Sequence, residues 1–290
     1  MKIAVIGANG QLGADVVSVF ERRGDAVAGL CHTDIELSSM ESVRICLGAQ
    51  PFDCVINTAA MHHVENCEQD PARAFAVNAV GARNLALVTR ETGAVLVHVS
   101  TDYVFDGAKR EPYVEGDAAL PLNVYGNSKL AGEYFVRSLN PRHFVLRTSA
   151  LYGEHACRAK GGRNFVELML HLGRERGRVK VVNDEFVSPT PTADVARQIA
   201  ALADHEAFGL YHATAEGSCT WYEFALEIFA AAGLKVEVQV AAPGDFPAKV
   251  PRPSYSVLAN QRLRDAGLNV FRPWQAGLAE YLSQKVSLEV

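Results

Sequence analysis

Along the first hundred residues, short runs of apolar and β-branched residues alternate with longer stretches whose apolar positions recur every three or four residues. Lys2 to Gly7, Ala26 to Leu30, Val55 to Ala60 and Val95 to Ser100 read as strands, with amphipathic helices over Gln11 to Arg23 and Ala72 to Thr92. The runs IAVIG, CVINTAA and VLVHVS are apolar at nearly every position, as in parallel strands covered by helices on both faces. This rhythm predicts an α/β fold built on a doubly wound parallel sheet. A further helix from about Tyr125 to Leu139 is bounded by Pro121 and Pro141, and His143 to Ser149 reads as the next strand.

Beyond about residue 150 the pattern loosens, at Gly153, Gly161 and Gly162 and in the turn-rich segment Ser188 to Pro191. Helices are expected at Asn164 to Arg176, Thr192 to Asp204, Thr220 to Ala232 and Trp274 to Gln284. Ala241 to Pro253 holds four of the twelve prolines and reads as an irregular loop. The division that follows is a nucleotide-binding domain over 1–150 and a smaller, mainly substrate-binding lobe over 151–290. Part of 180–205 returns to the first domain, and a cleft lies between the two.

Composition narrows the function classes. With 290 residues, 49% hydrophobic and 21% charged, the chain is an ordinary globular protein, which excludes disordered, collagen-like and coiled-coil readings. Twenty-eight basic residues against 33 acidic ones give a net charge of −5, and there is no long basic run, so nucleic acid is not an expected partner. The apolar opening MKIAVIGANG is too short to span a bilayer and has no cleavage-type tail, so a cytoplasmic protein without membrane association is expected. The six cysteines, Cys31, Cys46, Cys54, Cys67, Cys157 and Cys219, contain no CxxC pair and no zinc-finger spacing; they read as reduced thiols.

Chemistry enters with Gly7, Gly10 and Gly13, which stand as G-A-N-G-Q-L-G between the first strand and the first helix. Glycines there allow a tight turn and close approach of the backbone to a pyrophosphate, while the helix N-terminus offers unpaired N–H groups and a positive dipole end. This is the dinucleotide site of a Rossmann-type domain. The second strand ends in Leu30-Cys31-His32, with no acid there to accept from a ribose 2′-hydroxyl and repel a 2′-phosphate, so the reading favours NADPH over NADH. Glu36 reads either as an adenine-side residue or as a solvated loop acid. Tyr125 and Lys129, four apart in YGNSK, share one helix face about 25 residues after a strand ending in Ser100-Thr101. An ammonium beside a phenol favours phenolate, and such a pair at the carboxyl edge of the sheet suits proton donation to a carbonyl being reduced. His98 and His212 read as core residues, and Trp221, Tyr222 and Trp274 as core or oligomer contacts.

These motifs, with Asn57-Thr58-Ala59-Ala60, Ser100-Thr101-Asp102-Tyr103-Val104-Phe105-Asp106-Gly107 and Pro121-Leu122-Asn123-Val124-Tyr125-Gly126-Asn127-Ser128-Lys129, resemble an extended short-chain dehydrogenase/reductase, specifically the dTDP-4-dehydrorhamnose reductase family. The similarity continues through Arg147-Thr148-Ser149, Val182-Asn183-Asp184, Pro189-Thr190, Gly209-Leu210-Tyr211-His212, Thr220-Trp221, Arg252-Pro253 and Pro273-Trp274, so it spans the chain. It implies NAD(P)H-dependent reduction of the C4 ketone of a nucleotide-linked 4-keto-6-deoxy sugar, dTDP-4-dehydrorhamnose in the first instance. In that reading Thr101 hydrogen-bonds the ketone, Tyr125 protonates it, and Lys129 tunes the tyrosine and holds the nicotinamide ribose. Cofactor contacts are expected from Gly7, Asn9, Gly10, Gln11, Leu12, Gly13, His32, Asn57, Ala59, Ala60, Ser100, Tyr125 and Lys129. Substrate contacts are expected from Thr101, Asp102, Tyr103 and His62, and from Arg252, whose fork suits a diphosphate.

Related sugar-nucleotide dehydratases carry Thr-Asp-Glu where this chain has Thr101-Asp102-Tyr103. Without the third carboxylate no base stands ready for the C5 proton, and plain reduction is favoured. Asp102 and Tyr103 read equally as loop anchors. The family's Tyr-Thr-Ala-Val-Asp type stretch is replaced by Met61-His62-His63-Val64-Glu65, which puts the usual sugar specificity in question; the adjacent histidines read as pocket-lining or exposed rather than as metal ligands, and no metal is expected. A homodimer is a family expectation. Two other readings stay open: reduction of a different nucleotide 4-keto sugar, and a non-catalytic NADP-binding regulatory subunit like the β subunit of methionine adenosyltransferase.

Overall fold

The computed structural model describes residues 1–156, 162–242, 244–247 and 249–286. Cys157, Gly161 and Pro243, read above as a thiol, a turn glycine and a loop proline, lie outside the described residues. The strands are β1 (Lys2–Ile6), β2 (Ala26–Leu30), β3 (Cys54–Asn57), β4 (Val95–Thr101), β5 (His143–Thr148), β6 (Leu151–Tyr152), β7 (Arg178–Val181), β8 (Phe186–Val187), β9 (Thr190–Pro191), β10 (Gly209–His212), β11 (Cys219–Thr220) and β12 (Glu237–Val240). The helices are α1 (Gln11–Arg22), α2 (Met40–Gly48), α3 (Val64–Gln69), α4 (Pro71–Phe75), α5 (Gly81–Thr92), α6 (Val124–Leu139), α7 (Phe165–Arg176), α8 (Thr192–Ala203), α9 (Trp221–Ala231), α10 (Gln261–Asp265) and α11 (Trp274–Val286).

Six strands form one sheet in the order β10-β5-β4-β3-β1-β2, every pair parallel. The order reverses between β1 and β3, so a crevice opens beyond their carboxyl ends, where ligands of such sheets bind. α1 and α8 cover one face: Leu12, Val16 and Phe20 pack with Val195, Ile199 and Leu202 over Ile3, Val5 and Ile56. The other face meets α2, α5 and α6 through Val43, Leu47, Leu85, Val88 and Val136. Burying each such leucine or phenylalanine contributes about 1.5–3 kcal/mol. The smaller C-terminal lobe has its own cluster, centred on Tyr152, Met169, Phe224, Ile228, Trp274 and Leu278. Its helices are fixed at their starts by capping boxes, Asn164 with Glu167 on α7 and Thr220 with Glu223 on α9.

The structure departs from the sequence reading in several places. The strand read as Val55 to Ala60 is Cys54–Asn57, because Thr58 turns out of the sheet and its hydroxyl donates to the Ile6 carbonyl at 2.8 Å. α2 was not foreseen; Ser39 caps it by accepting from the Ser42 N–H at 3.2 Å. The helix read over Ala72 to Thr92 begins at Pro71, where Asp70 accepts from the Arg73 N–H at 3.0 Å, and widens into a π turn at Ala76–Val80 before α5. The sixth sheet strand comes from residues 209–212, while α8, within the stretch expected to return to the first domain, packs on the sheet. The 241–253 segment carries no helix or strand among its described residues.

Candidate active site

The first turn of the site follows β1. Gly7 has φ +80°, and a Cβ built on Gly13 would lie 2.0 Å from the Gly7 carbonyl oxygen, so α1 packs against the turn at a distance only glycine permits. Gly10 caps α1 without a side chain, and the first-turn amides of Gln11, Leu12 and Gly13 have no protein acceptor among the described residues. An open helix N-terminus beside bare backbone is a cradle that fits a dinucleotide pyrophosphate. The Gln11 side chain faces elsewhere, donating to the carbonyls of Gly153 and His155 at 3.3 and 3.1 Å and tying the segment after β6 to this turn.

At the end of β2, His32 is exposed and its Nδ1 lies 3.5 Å from Glu36. Both acids of this loop are engaged locally: Asp34 accepts from the Cys31 N–H at 2.7 Å, and Glu36 accepts from the Ser38 N–H and hydroxyl at 3.0 and 2.7 Å, which holds its carboxyl below the usual range. Arg23 is spent on Asp25, Asp204 and the Ala200 carbonyl.

The chemistry-bearing residues converge at the ends of β3 and β4 and the start of α6. The Asn123 side chain accepts from the Gly126 N–H at 2.9 Å and fixes where α6 begins. A Cβ on Gly126 would sit 2.2 Å from the Tyr103 carbonyl oxygen, so the glycine after Tyr125 lets the helix seat against the turn that follows β4. The Thr101 hydroxyl accepts from the Tyr103 N–H at 3.1 Å, donates to Asp102 at 3.0 Å and lies against the Tyr125 phenol. The Tyr103 and Tyr125 rings meet edge to face, with centroids 5.9 Å apart. Burial pushes the Tyr125 phenol well above its ordinary pKa, reinforced by the nearby Asp102 charge; the Thr101 hydroxyl opposes this.

One expectation changes here. Lys129 lies among the same residues, and its nitrogen donates to the Val99 carbonyl at 2.6 Å and approaches His98 Nε2 at 3.5 Å. Burial lowers Lys129 itself to about 8. Asp102 does not present its carboxylate to the cleft: it is buried, it accepts from Thr101, from Ser149 at 2.9 Å and from Ser256, and burial raises its pKa. It anchors the loop and fixes the Thr101 hydroxyl.

Asn78, Glu133 and Glu185, which the sequence reading did not single out, help complete the frame. Asn78, carried by the π turn, accepts from the Met61 N–H and donates to the Met61 carbonyl, both at 2.9 Å, and donates to the Ser128 hydroxyl at 2.9 Å. It thereby locks the Met61-His62-His63 segment to the catalytic helix, and no local pattern marks a π turn. Glu133, one turn beyond Lys129, is fully buried; it pairs with Arg147 of β5 at 2.7 Å and accepts from the Ser100 hydroxyl at 2.6 Å. Asn57 faces His98 across the β3–β4 register, its amide nitrogen 3.1 Å from Nδ1. Ala59 and Ala60 are half-buried on the loop after β3. At the mouth, Arg252 pairs with Glu65 at 2.5 Å, and His63 lies 3.4 Å from the same carboxylate. Glu185, its carboxyl raised by burial, accepts from the Trp221 indole at 3.2 Å.

A bare helix N-terminus at the switch point of a parallel sheet, beside a Thr–Tyr–Lys cluster at the same edge, defines a nicotinamide-dependent oxidoreductase of the short-chain type. The model of the RmlD substrate binding domain family matches residues 1–287, and the chain belongs to that family. Its relatives include the spore coat polysaccharide biosynthesis protein SpsK of Bacillus subtilis, 37% identical over 99% of this chain and 98% of that one. A crystal structure of a dTDP-4-dehydrorhamnose reductase from Clostridium acetobutylicum superposes with a TM-score of 0.94 at 38% identity, covering 100% of both chains. One from Bacillus anthracis, in complex with NADP, gives 0.92 at 36% identity over 98% of this chain and 99% of that one. Among the described residues no helix is long and apolar enough to cross a membrane.

Proposed function

We propose that this chain reduces the C4 ketone of a nucleotide-activated 4-keto-6-deoxy sugar, dTDP-4-dehydrorhamnose to dTDP-rhamnose, using NADPH, in the cytoplasm and as a homodimer. The observation that carries the reading is the packing of Tyr125 against the Thr101–Tyr103 turn at the edge where the cradle for a dinucleotide opens. The names of the two reductase structures support the substrate, and the complex of one with NADP supports the cofactor.

In this account residues 1–150 hold the cofactor and most of 151–290 shape the sugar site. The amides of Gln11, Leu12 and Gly13 take the pyrophosphate, with Gly7, Asn9 and Gly10 beneath it; His32 reaches the adenosine ribose, and Asn57, Ala59, Ala60, Ser100 and Lys129 lie toward the nicotinamide. When bound, the reduced nicotinamide supplies the hydride. Thr101, whose hydroxyl proton rests on Asp102, turns that proton to the ketone oxygen and aligns it. Tyr125, which keeps its proton at neutral pH because burial disfavours phenolate, releases it to that oxygen as negative charge develops there. Tyr103 and His62 line the sugar. Arg252 turns from Glu65 to the substrate diphosphate. With Tyr103 in place of an acid, no carboxylate follows Asp102 to start an elimination.

A second substrate reading has one observation in its favour: the similarity to SpsK, a spore coat polysaccharide biosynthesis protein, combined with the Met61-His62-His63 segment, points to a different nucleotide 4-keto sugar. Comparing cofactor oxidation by the native chain and by Tyr125→Phe over a panel of nucleotide 4-keto sugars tests both. Turnover that is lost in the variant supports the proposed chemistry, and turnover that survives the substitution contradicts it.

A further inference from the structure

Asn57, His98 and Lys129 form a buried line whose hydrogen bonds fix one another's protons. All three are nearly closed to solvent, at 2%, 1% and 2% exposure. The Ala59 N–H donates to Asn57 Oδ1 at 3.1 Å, which fixes the amide so that its nitrogen is the group facing the ring. That nitrogen lies 3.1 Å from His98 Nδ1. An amide nitrogen only donates, so Nδ1 accepts and the single proton of the neutral ring sits on Nε2. Nε2 in turn faces Lys129 Nζ at 3.5 Å, and an N–H can meet that nitrogen favourably only if the nitrogen keeps a lone pair. Nζ meanwhile donates to the Val99 carbonyl at 2.6 Å, which an amine does as well as an ammonium.

We infer that His98 is a positioning residue of the reaction, its ring held by Asn57 so that Nε2–H meets the Lys129 nitrogen and stabilises the neutral amine relative to the ammonium. When Nζ takes up a proton its lone pair is gone, the ring proton moves from Nε2 to Nδ1, and the Asn57 amide turns over to accept from Nδ1–H. The ring stays neutral throughout, so one proton is gained, by Nζ alone. The cost of turning Asn57 away from the Ala59 N–H opposes that uptake and adds to burial in lowering the Lys129 pKa. His98 itself does not ionise near neutrality: burial, and then the Lys129 charge, hold it well below its ordinary range.

The groups facing Lys129 and its neighbour are few. Glu133, on the same helix, favours the ammonium but is paired with Arg147 of β5; His98 comes from β4; Tyr125 lies one turn earlier, faced by Asp102 after β4 and Cys67 of α3. Glu68 of α3 accepts from the Val124 N–H at the start of the helix.

The inference deepens the proposed reductase reading, and its first test does not depend on that reading. Nitrogen NMR of the whole chain with 15N-labelled histidine, the His98 signals being those lost in His98→Gln, should show the Nε2–H tautomer at pH 9.5 and the Nδ1–H tautomer at pH 6.5. In Lys129→Met the Nε2–H tautomer should persist at both. An Nδ1–H ring at both pH values in the native chain, or a tautomer indifferent to pH, overturns the inference. In turnover, His98→Leu removes the hydrogen bond to the neutral amine, so the Lys129-linked limb of the kcat profile should move up by about half to one pH unit. A profile that coincides with the native one contradicts it. Should no sugar be turned over while the tautomer still switches, the reductase proposal fails and the relay stands.

Discussion

Glu65 of α3 and Arg252 of the late loop, 187 positions apart in sequence, form an ion pair 2.5 Å long across the mouth of the site. Both side chains are partly exposed, so the pair is worth less than about 1 kcal/mol to the fold. The guanidinium is therefore available to a competing anion. Arg252→Ala should raise KM for the sugar nucleotide about 10-fold or more, from the loss of a charged hydrogen bond of about 1.5–3 kcal/mol, while Tm shifts by no more than a few degrees. An unchanged KM in steady-state kinetics would remove Arg252 from the diphosphate site.

Tyr125→Phe deletes the proton donor and leaves the ring contact with Tyr103 in place. A loss in kcat of about 10²- to 10⁴-fold is expected, with NADPH affinity by fluorescence titration retained. A kcat within a few-fold of native would assign protonation to another group.

Buried Glu133 and Arg147 test the frame rather than the chemistry. Glu133→Gln leaves the guanidinium buried without its counter-charge, and its Nη1 already has no partner among the described residues. Breaking such a pair costs about 3–5 kcal/mol, so chemical denaturation should show a large fall in stability. A fall of less than about 1 kcal/mol would mean the pair is solvated in solution.

Burial lowers Lys129 from 10.5 to about 8, so the folded state resists a proton that the unfolded chain binds freely. The folded form is therefore penalised below about pH 8, by roughly 3 kcal/mol at most, and the penalty is relieved as pH rises toward 10.5. Lys129→Met should be more stable than the native chain at pH 7, and the difference should shrink by pH 10. Denaturant midpoints at the two pH values decide this; a constant difference would show that Lys129 has no lowered pKa.

Much of this site was legible in the chain because local rules govern its parts. Gly7 and Gly13 announce a turn that only glycine can form, and Tyr125 and Lys129 fall on one face through helical spacing alone. What the sequence could not disclose depends on elements meeting: Asn57 reaches His98 only through the register of two parallel strands, and Asn78 reaches Met61 and Ser128 only because a π turn rotates it. Lys129 shows the same limit: helical spacing puts it on the Tyr125 face, but its hydrogen bond to the Val99 carbonyl depends on how the helix packs on the neighbouring strand.

The central claim is tested most directly by initial rates of NADPH and NADH oxidation with dTDP-4-dehydrorhamnose generated in place, alongside other nucleotide 4-keto sugars. The account predicts turnover of the rhamnose precursor at about 1 s⁻¹ or more, faster with NADPH than with NADH. Tight NADPH binding with no oxidation in the presence of any of these sugars would contradict it.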